Sequence, residues 1–188
     1  MSAEQIHDTL ERLCALMRVD VRASGAEDGL LPVQLEALHY LSQCNRYSDT
    51  VQGLTDFLGQ TKGTVSQTVK VLTARGLVEK LPDSEDRRIV HLHVTAAGRQ
   101  VLTKLIPAHF LAEGLRVLPE AEITRLSQAL TELLRTVQYA NRFKTFAVCK
   151  SCRFNEGEGG SCRCELTGEA LSETDVELIC REHQSRKA

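Results

Sequence analysis

Five of the seven cysteines in this 188-residue chain fall in its last forty residues, spaced Cys149-x2-Cys152-x9-Cys162-x-Cys164-x15-Cys180, with His183 three residues further on. Thiolates and an imidazole at such spacing are ligands for a soft metal. Three fillings compete. Structural zinc needs four N or S donors, and six are on offer. An iron–sulfur cluster needs about four thiolates in a dry shell. A redox disulfide needs only a close pair. Phe154, Leu166, Leu171, Val176, Leu178 and Ile179 are too few large apolar groups to fold this stretch unaided, so a metal is expected to staple it. Ser172-x-x-Asp175 predicts a capped short helix that delivers Cys180.

A second constellation lies between Val51 and Val94. Leu54, Phe57 and Leu58 sit at helical spacing before Gly59-Gln60 breaks the run. Thr61 then caps a second helix in which Val65, Val69 and Leu72 form the inward stripe. Its other face reads Lys62, Thr64, Gln67, Thr68 and Lys70, polar or cationic with no carboxylate. Gly76 supplies a left-handed stop. LVEKL and IVHLHV alternate around the charged tip Pro82 to Arg88, the pattern of a hairpin. His91 and His93 project from one face of its second strand and read as wing-surface residues near DNA phosphates. Helix, turn, polar-faced helix and basic-tipped hairpin describe a winged helix-turn-helix, whose second helix fits a major groove.

This segment, with Asp86-Arg87-Arg88 followed by Thr95-x-x-Gly98, resembles the MarR family of bacterial transcription regulators in layout over residues 3–145. The resemblance implies Lys62, Thr64, Gln67 and Thr68 facing base edges, with Ser66, Lys70 and Arg75 on phosphates. It places Arg88 in the minor groove and Arg87 near the backbone, with Asp86 positioning the wing arginines. Gln67 stands where many relatives carry arginine, and glutamine pairs best with adenine. Small aromatic effectors often bind between the dimer helices and the DNA-binding lobe in that family, which makes His39 and Tyr40 candidate pocket residues. The tail spacing C-x2-C-x11-C-x15-C is similar to small high-potential-type 4Fe-4S modules. That likeness implies Cys149, Cys152, Cys164 and Cys180 as ligands, with Cys162 or His183 able to substitute and zinc as the alternative metal.

The remaining elements position these sites. Ile6, Leu10, Leu13, Met17 and Val21 predict an N-terminal helix over residues 3–22, followed by a loop at Gly25 to Gly29; Cys14 beside the stripe reads as a small buried hydrophobe. Pro32 opens a helix carrying Leu35, Leu38 and Leu41. After Thr95 a long helix is expected to kink at Pro107. Ile123, Leu126, Leu130, Leu133 and Val137 then approach a coiled-coil seam, expected with the first helix to form a homodimer reading an inverted repeat.

The fold class is therefore mainly α with a small β wing: residues 1–145 with a reading head at about 32–95, then a metal-binding module over 146–188. A net charge of −2 argues against a non-specific nucleic-acid coat, although six cations stand against four anions from Lys62 to Arg88. No signal peptide or membrane span is read, and a cytoplasmic location is expected. No catalytic triad, carboxylate pair or phosphate loop supports an enzyme. The expected function is a DNA-binding repressor or activator tuned by a 4Fe-4S cluster. A phenol-responsive regulator with structural zinc, and an iron–sulfur electron-transfer or enzyme-accessory protein, are the alternatives.

Overall fold

A computed structural model describes residues 2–157 and 162–186. The chain opens with α1 (Ala3–Asp28), α2 (Pro32–Gln43), α3 (Val51–Leu58) and α4 (Lys62–Ala74). The antiparallel hairpin β1 (Val78–Pro82) and β2 (Val90–Val94) follows, then α5 (Ala96–Leu105), α6 (His109–Arg116) and α7 (Glu120–Ala140). The tail contributes a 3-10 turn (Cys149–Ser151), a three-stranded antiparallel sheet of β3 (Asn155–Glu156), β4 (Cys162–Cys164) and β5 (Ala170–Leu171), and α8 (Glu173–Glu177). No helix among the described residues is long and apolar enough to cross a membrane.

Local chemistry fixes the element ends. The hydroxyls of Thr50, Thr61 and Thr95 accept hydrogen bonds from Gly53 N, Thr64 N and Gly98 N, each satisfying one orphan amide of a helix start. Beyond α4, Gly76 adopts φ +68°, and Leu77 N returns to Leu72 O at 3.0 Å to close the helix. Wing register pairs Val78 with Val94 and Lys80 with Leu92, which turns Leu92 and Val94 inward. Leu38, Leu54, Val65, Val69, Leu72 and Leu92 are fully buried and form the centre of the reading head.

Two helix boundaries differ from the sequence reading. α1 runs through Gly25 to Asp28, because one helical glycine costs only about 1 kcal/mol and does not by itself end a helix. The helix after Thr95 does not kink at Pro107 but stops at Leu105 and restarts at His109. Cys14, expected to be buried, is exposed in the protomer. No residue of α6 or α7 is buried, and Leu126, Leu130, Leu133, Leu134 and Val137 of α7 present an apolar face to solvent. With Ile6 and Leu10 of α1, Leu130, Leu133, Leu134 and Val137 line a groove of about 510 Å³.

The tail does not simply extend α7. It folds back onto the corner between α2 and α3. Ile179 N donates to Gln43 O at 2.8 Å, and Asn45 N donates to Ile179 O at 2.9 Å. Phe146 meets Tyr40 and Phe57 edge-on, with ring centroids 6.0 and 5.3 Å apart. Arg181 N donates to Ser48 Oγ at 2.8 Å, while its guanidinium shares Asp56 with Lys144. Burial raises the Asp56 carboxyl, but hydrogen bonds from Lys144, Arg181 and Gln52 carry it down to about 2.

Candidate DNA-binding face and cysteine cluster

Along α4, Lys62, Thr64, Ser66, Gln67 and Lys70 are exposed. Thr68 is the correction: it is only 6% exposed and lies on the core face with Val65, Val69 and Leu72. The inward stripe is one residue wider than the aliphatic positions alone suggest, since i and i+3 share a helix face. Arg75 Nη1 donates to Gly29 O at 2.6 Å and so fastens the end of α4 to the α1–α2 turn.

At the wing tip, Asp83 Oδ1 accepts from the amides of Glu85 (2.8 Å) and Asp86 (2.7 Å) and shapes the turn. Asp86 takes Arg88 in a fork, Oδ1 from Nε at 2.9 Å and Oδ2 from Nη2 at 2.7 Å. The Arg88 side chain is nevertheless 90% exposed and stands out from the tip, with Arg87 exposed beside it. A cleft of about 940 Å³ separates the wing from α4, lined by Lys62, Ser66 and Arg88 and, from the far side, by Arg46, Glu169 and Arg181.

His91 is not a free surface group. Its Nδ1 lies 2.6 Å from Asp49 Oδ1 and its Nε2 3.1 Å from Asp83 Oδ2, so one ring joins the α2–α3 corner to the wing turn. His93 Nε2 stands 3.4 Å from the other Asp49 oxygen. Sequence reading missed this clamp because Asp49 and His91 are 42 positions apart. Burial lowers the His91 pKa, yet the hydrogen bonds to Asp49 and Asp83 outweigh it and the net shift is upward. Because the folded value is raised, the clamp contributes fully below the ordinary histidine value of about 6.5 and fades as pH rises through the folded pKa. Wing opening, read by amide exchange at Ile89 to His91, should rise as pH climbs through that folded value. His91→Gln should remove that pH step; a wild-type wing with pH-independent protection, after correction for intrinsic exchange, would refute the clamp.

Neither candidate effector residue lines the cleft beside the wing or the groove between α1 and α7. Tyr40 is 1% exposed, donates its hydroxyl to Ser48 O at 3.0 Å and stacks on Phe57 at 4.3 Å. Its pKa is pushed up, chiefly by burial. His39 is half-buried, and burial lowers its pKa.

In the tail, Cys149, Cys152 and Cys180 are buried and Cys164 is half-buried. Burial pushes the Cys149 thiol up to about 12, helped by the negative charge that Cys180, Cys152 and Cys164 would carry beside it. Cys180 is raised by burial too, and also feels Cys152 and Cys164. These four cysteines come from the 3-10 turn and its C-cap, from β4 and from the segment after α8. Cys164 and Cys162 both lie on β4, paired with Asn155 and Leu171 of the neighbouring strands. His183 is buried, with Nδ1 2.5 Å from Thr145 Oγ1 and Nε2 3.0 Å from Ser151 Oγ.

Donors surround the sulfurs. Gln184 N donates to Cys152 Sγ at 3.5 Å. Asn45 Nδ2 is buried with no acceptor at full hydrogen-bonding geometry, yet it lies near enough to Cys180 to favour the thiolate. A buried amide without a partner is costly, and a charged sulfur is what it lacks. Among the described residues, no three His, Cys, Asp or Glu side chains close into the ligand shell of a single metal ion.

Comparison with known proteins agrees with the geometry. The MarR family model matches residues 28–89. A transcriptional regulator from Thermotoga maritima is 26% identical, covering 73% of this chain and 96% of its own, with a TM-score of 0.52. Streptococcus pneumoniae FabT, solved in complex with DNA, is 23% identical over 73% and 95% of the two chains, with a TM-score of 0.56. A MarR transcriptional regulator from Methanosarcina mazei Go1 is 18% identical over 73% and 99%, with a TM-score of 0.62. No curated protein matches the chain. Residues 28–89 thus match the MarR family model, and the winged helix built around them is similar in fold to solved MarR-type transcriptional regulators.

Proposed function

We propose that this protein is a MarR-type transcriptional regulator that binds operator DNA as a homodimer, with a tail that holds an iron–sulfur cluster and adjusts the affinity. The observation that carries the first part is the acid-free exposed face of α4 beside an outstanding Arg88, a major-groove helix with a minor-groove probe. The apolar face shared by α1 and α7 supports the dimer, since a second copy would cover it and set two reading heads about one helical turn, ~34 Å, apart. FabT, whose fold is similar, was solved with DNA. Arg88→Ala is expected to weaken operator binding about 10-fold or more in gel shifts at fixed salt, in line with ~1–3 kcal/mol for a specific contact. Unchanged affinity would remove the wing from the interface.

For the tail, Cys149, Cys152, Cys164 and Cys180 would hold the cluster, which supplies reversible one-electron chemistry and sensitivity to oxidants. Zinc would draw four donors to ~2.0–2.3 Å of one centre. The C-x2-C-x11-C-x15-C spacing, similar to that of small high-potential-type 4Fe-4S modules, supports the cluster over zinc. The amides beside Cys152 and Cys180 are the hydrogen-bond donors that a charged sulfur–metal assembly uses. Brown colour and bound iron and sulfide in anaerobically purified protein are expected; a colourless protein with stoichiometric zinc would replace the cluster by a structural site. The docking of Ile179 and Arg181 onto the α2–α3 corner gives the tail a direct path to the reading head, separate from any change in the spacing of the two heads.

A further inference from the structure

One polar constellation at the cleft belongs neither to the helix–wing face nor to the cysteine cluster. Arg46 Nη2 donates to Glu169 Oε2 at 2.9 Å, and the Tyr47 hydroxyl donates to the same oxygen at 2.6 Å. Arg46 Nη2 also lies 3.0 Å from the Tyr47 hydroxyl and 3.2 Å from Ala170 O, and its Nη1 stands 3.5 Å from Asp175. The site is not buried: the Arg46 and Glu169 side chains are 47% and 52% exposed. It opens onto the cleft that Lys62, Ser66 and Arg88 line from the other side.

A guanidinium and a phenol converging on one anionic oxygen would serve a phosphodiester oxygen as well as a carboxylate. The occupant here is displaceable, since exposed ion pairs contribute little to stability. Asp175 is committed elsewhere through Ser172, whose backbone N and hydroxyl both donate to its Oδ2, so the inward Nη1 contact can persist when Nη2 changes partner.

We propose that Arg46 and Tyr47 form a binding site for a DNA backbone phosphate, occupied in the DNA-free chain by Glu169 of the tail acting as a phosphate mimic. The inference rests on the DNA-binding reading and adds to it a contact outside α4 and the wing. It also gives the tail a way to lower affinity: any state that holds Glu169 on Arg46 keeps one backbone contact closed.

The test uses full-length protein and a mixed-sequence duplex of about 30 base pairs, because backbone contacts register in non-specific binding whether or not an operator is recognised. Kd is measured across salt concentrations for wild type, Glu169→Gln, Arg46→Gln and the double variant. Glu169→Gln should tighten binding several-fold and steepen the salt dependence by about 0.9 per protomer, the amount one added phosphate contact produces. In the Arg46→Gln background the same change should do neither. An unchanged salt slope in Glu169→Gln overturns the proposal. So does a gain that persists without Arg46, which would mark a general charge effect. Selective binding to a particular operator, measured separately, decides the underlying DNA-binding reading.

Discussion

Gly53→Ala should destabilise the reading head by about 3 kcal/mol, at the upper end of what an overpacked site costs. A methyl there would stand 2.1 Å from Ser48 O, 3.0 Å from the Ser48 carbonyl carbon and 3.2 Å from the Tyr40 hydroxyl. The nearest atom is backbone and cannot swing away. Relief requires α3 to lift or the Asn45 to Asp49 turn to move, and either loosens the Tyr40–Ser48 hydrogen bond that crosses the same point. The turn also carries Asp49 of the His91 clamp and the Ser48 hydroxyl that receives the tail. Damage should therefore spread to the wing and the tail together. Thermal melts are expected to fall by roughly 10 °C, from ~2–4 °C per kcal/mol in a chain of this size. A variant melting within about 2 °C of wild type would show that the corner is softer than its packing implies.

Cys180→Ser should have a large effect confined to the tail and its seam with the corner. Serine keeps the volume but withdraws the soft donor that the proposed cluster needs, and metal binding in small modules supplies folding free energy on the order of 10 kcal/mol. Iron and sulfide content should drop sharply. Amide protection at Asn45 and Ile179, which form the hydrogen-bonded seam with the corner, should fall with it. Leu54, Val69 and Leu92 lie in the reading head's own core and should keep their protection. Protection at Asn45 and Ile179 that survives in metal-free Cys180→Ser protein would mean that the tail holds itself without metal.

What was legible in the sequence follows the range of the interactions. α4, its Thr61 cap and its Gly76 stop are written within about fifteen residues, and so is the alternation of the wing. The exposed apolar positions of α7 were legible for the same reason. Thr68 was misplaced because a threonine on a helix reads as polar, while its burial depends on the neighbours that α2 and α3 bring. The helix break at Pro107 was seen but taken as a bend, since sequence does not say whether packing will carry a helix across a proline. His91 with Asp49, Arg46 with Glu169 and Ile179 with Gln43 join positions 42 to 136 apart, and no periodicity announces such pairs. The proposed four-cysteine set rests on spacing, whereas the nearness of Asn45, on another part of the chain, to Cys180 is visible only in the fold.

Phe146 has a consequence for anyone shortening this protein. Its ring closes over Tyr40 and Phe57 like a lid on a jar, and it belongs to the part of the chain that looks most dispensable. A version ending at Thr145 would keep every residue of the helix–wing face yet leave an oily opening on its flank, with Asp56 robbed of Arg181. Such a product should clump and lose solubility on concentration. Its behaviour would then report the missing stopper, and would say little about the proposed metal.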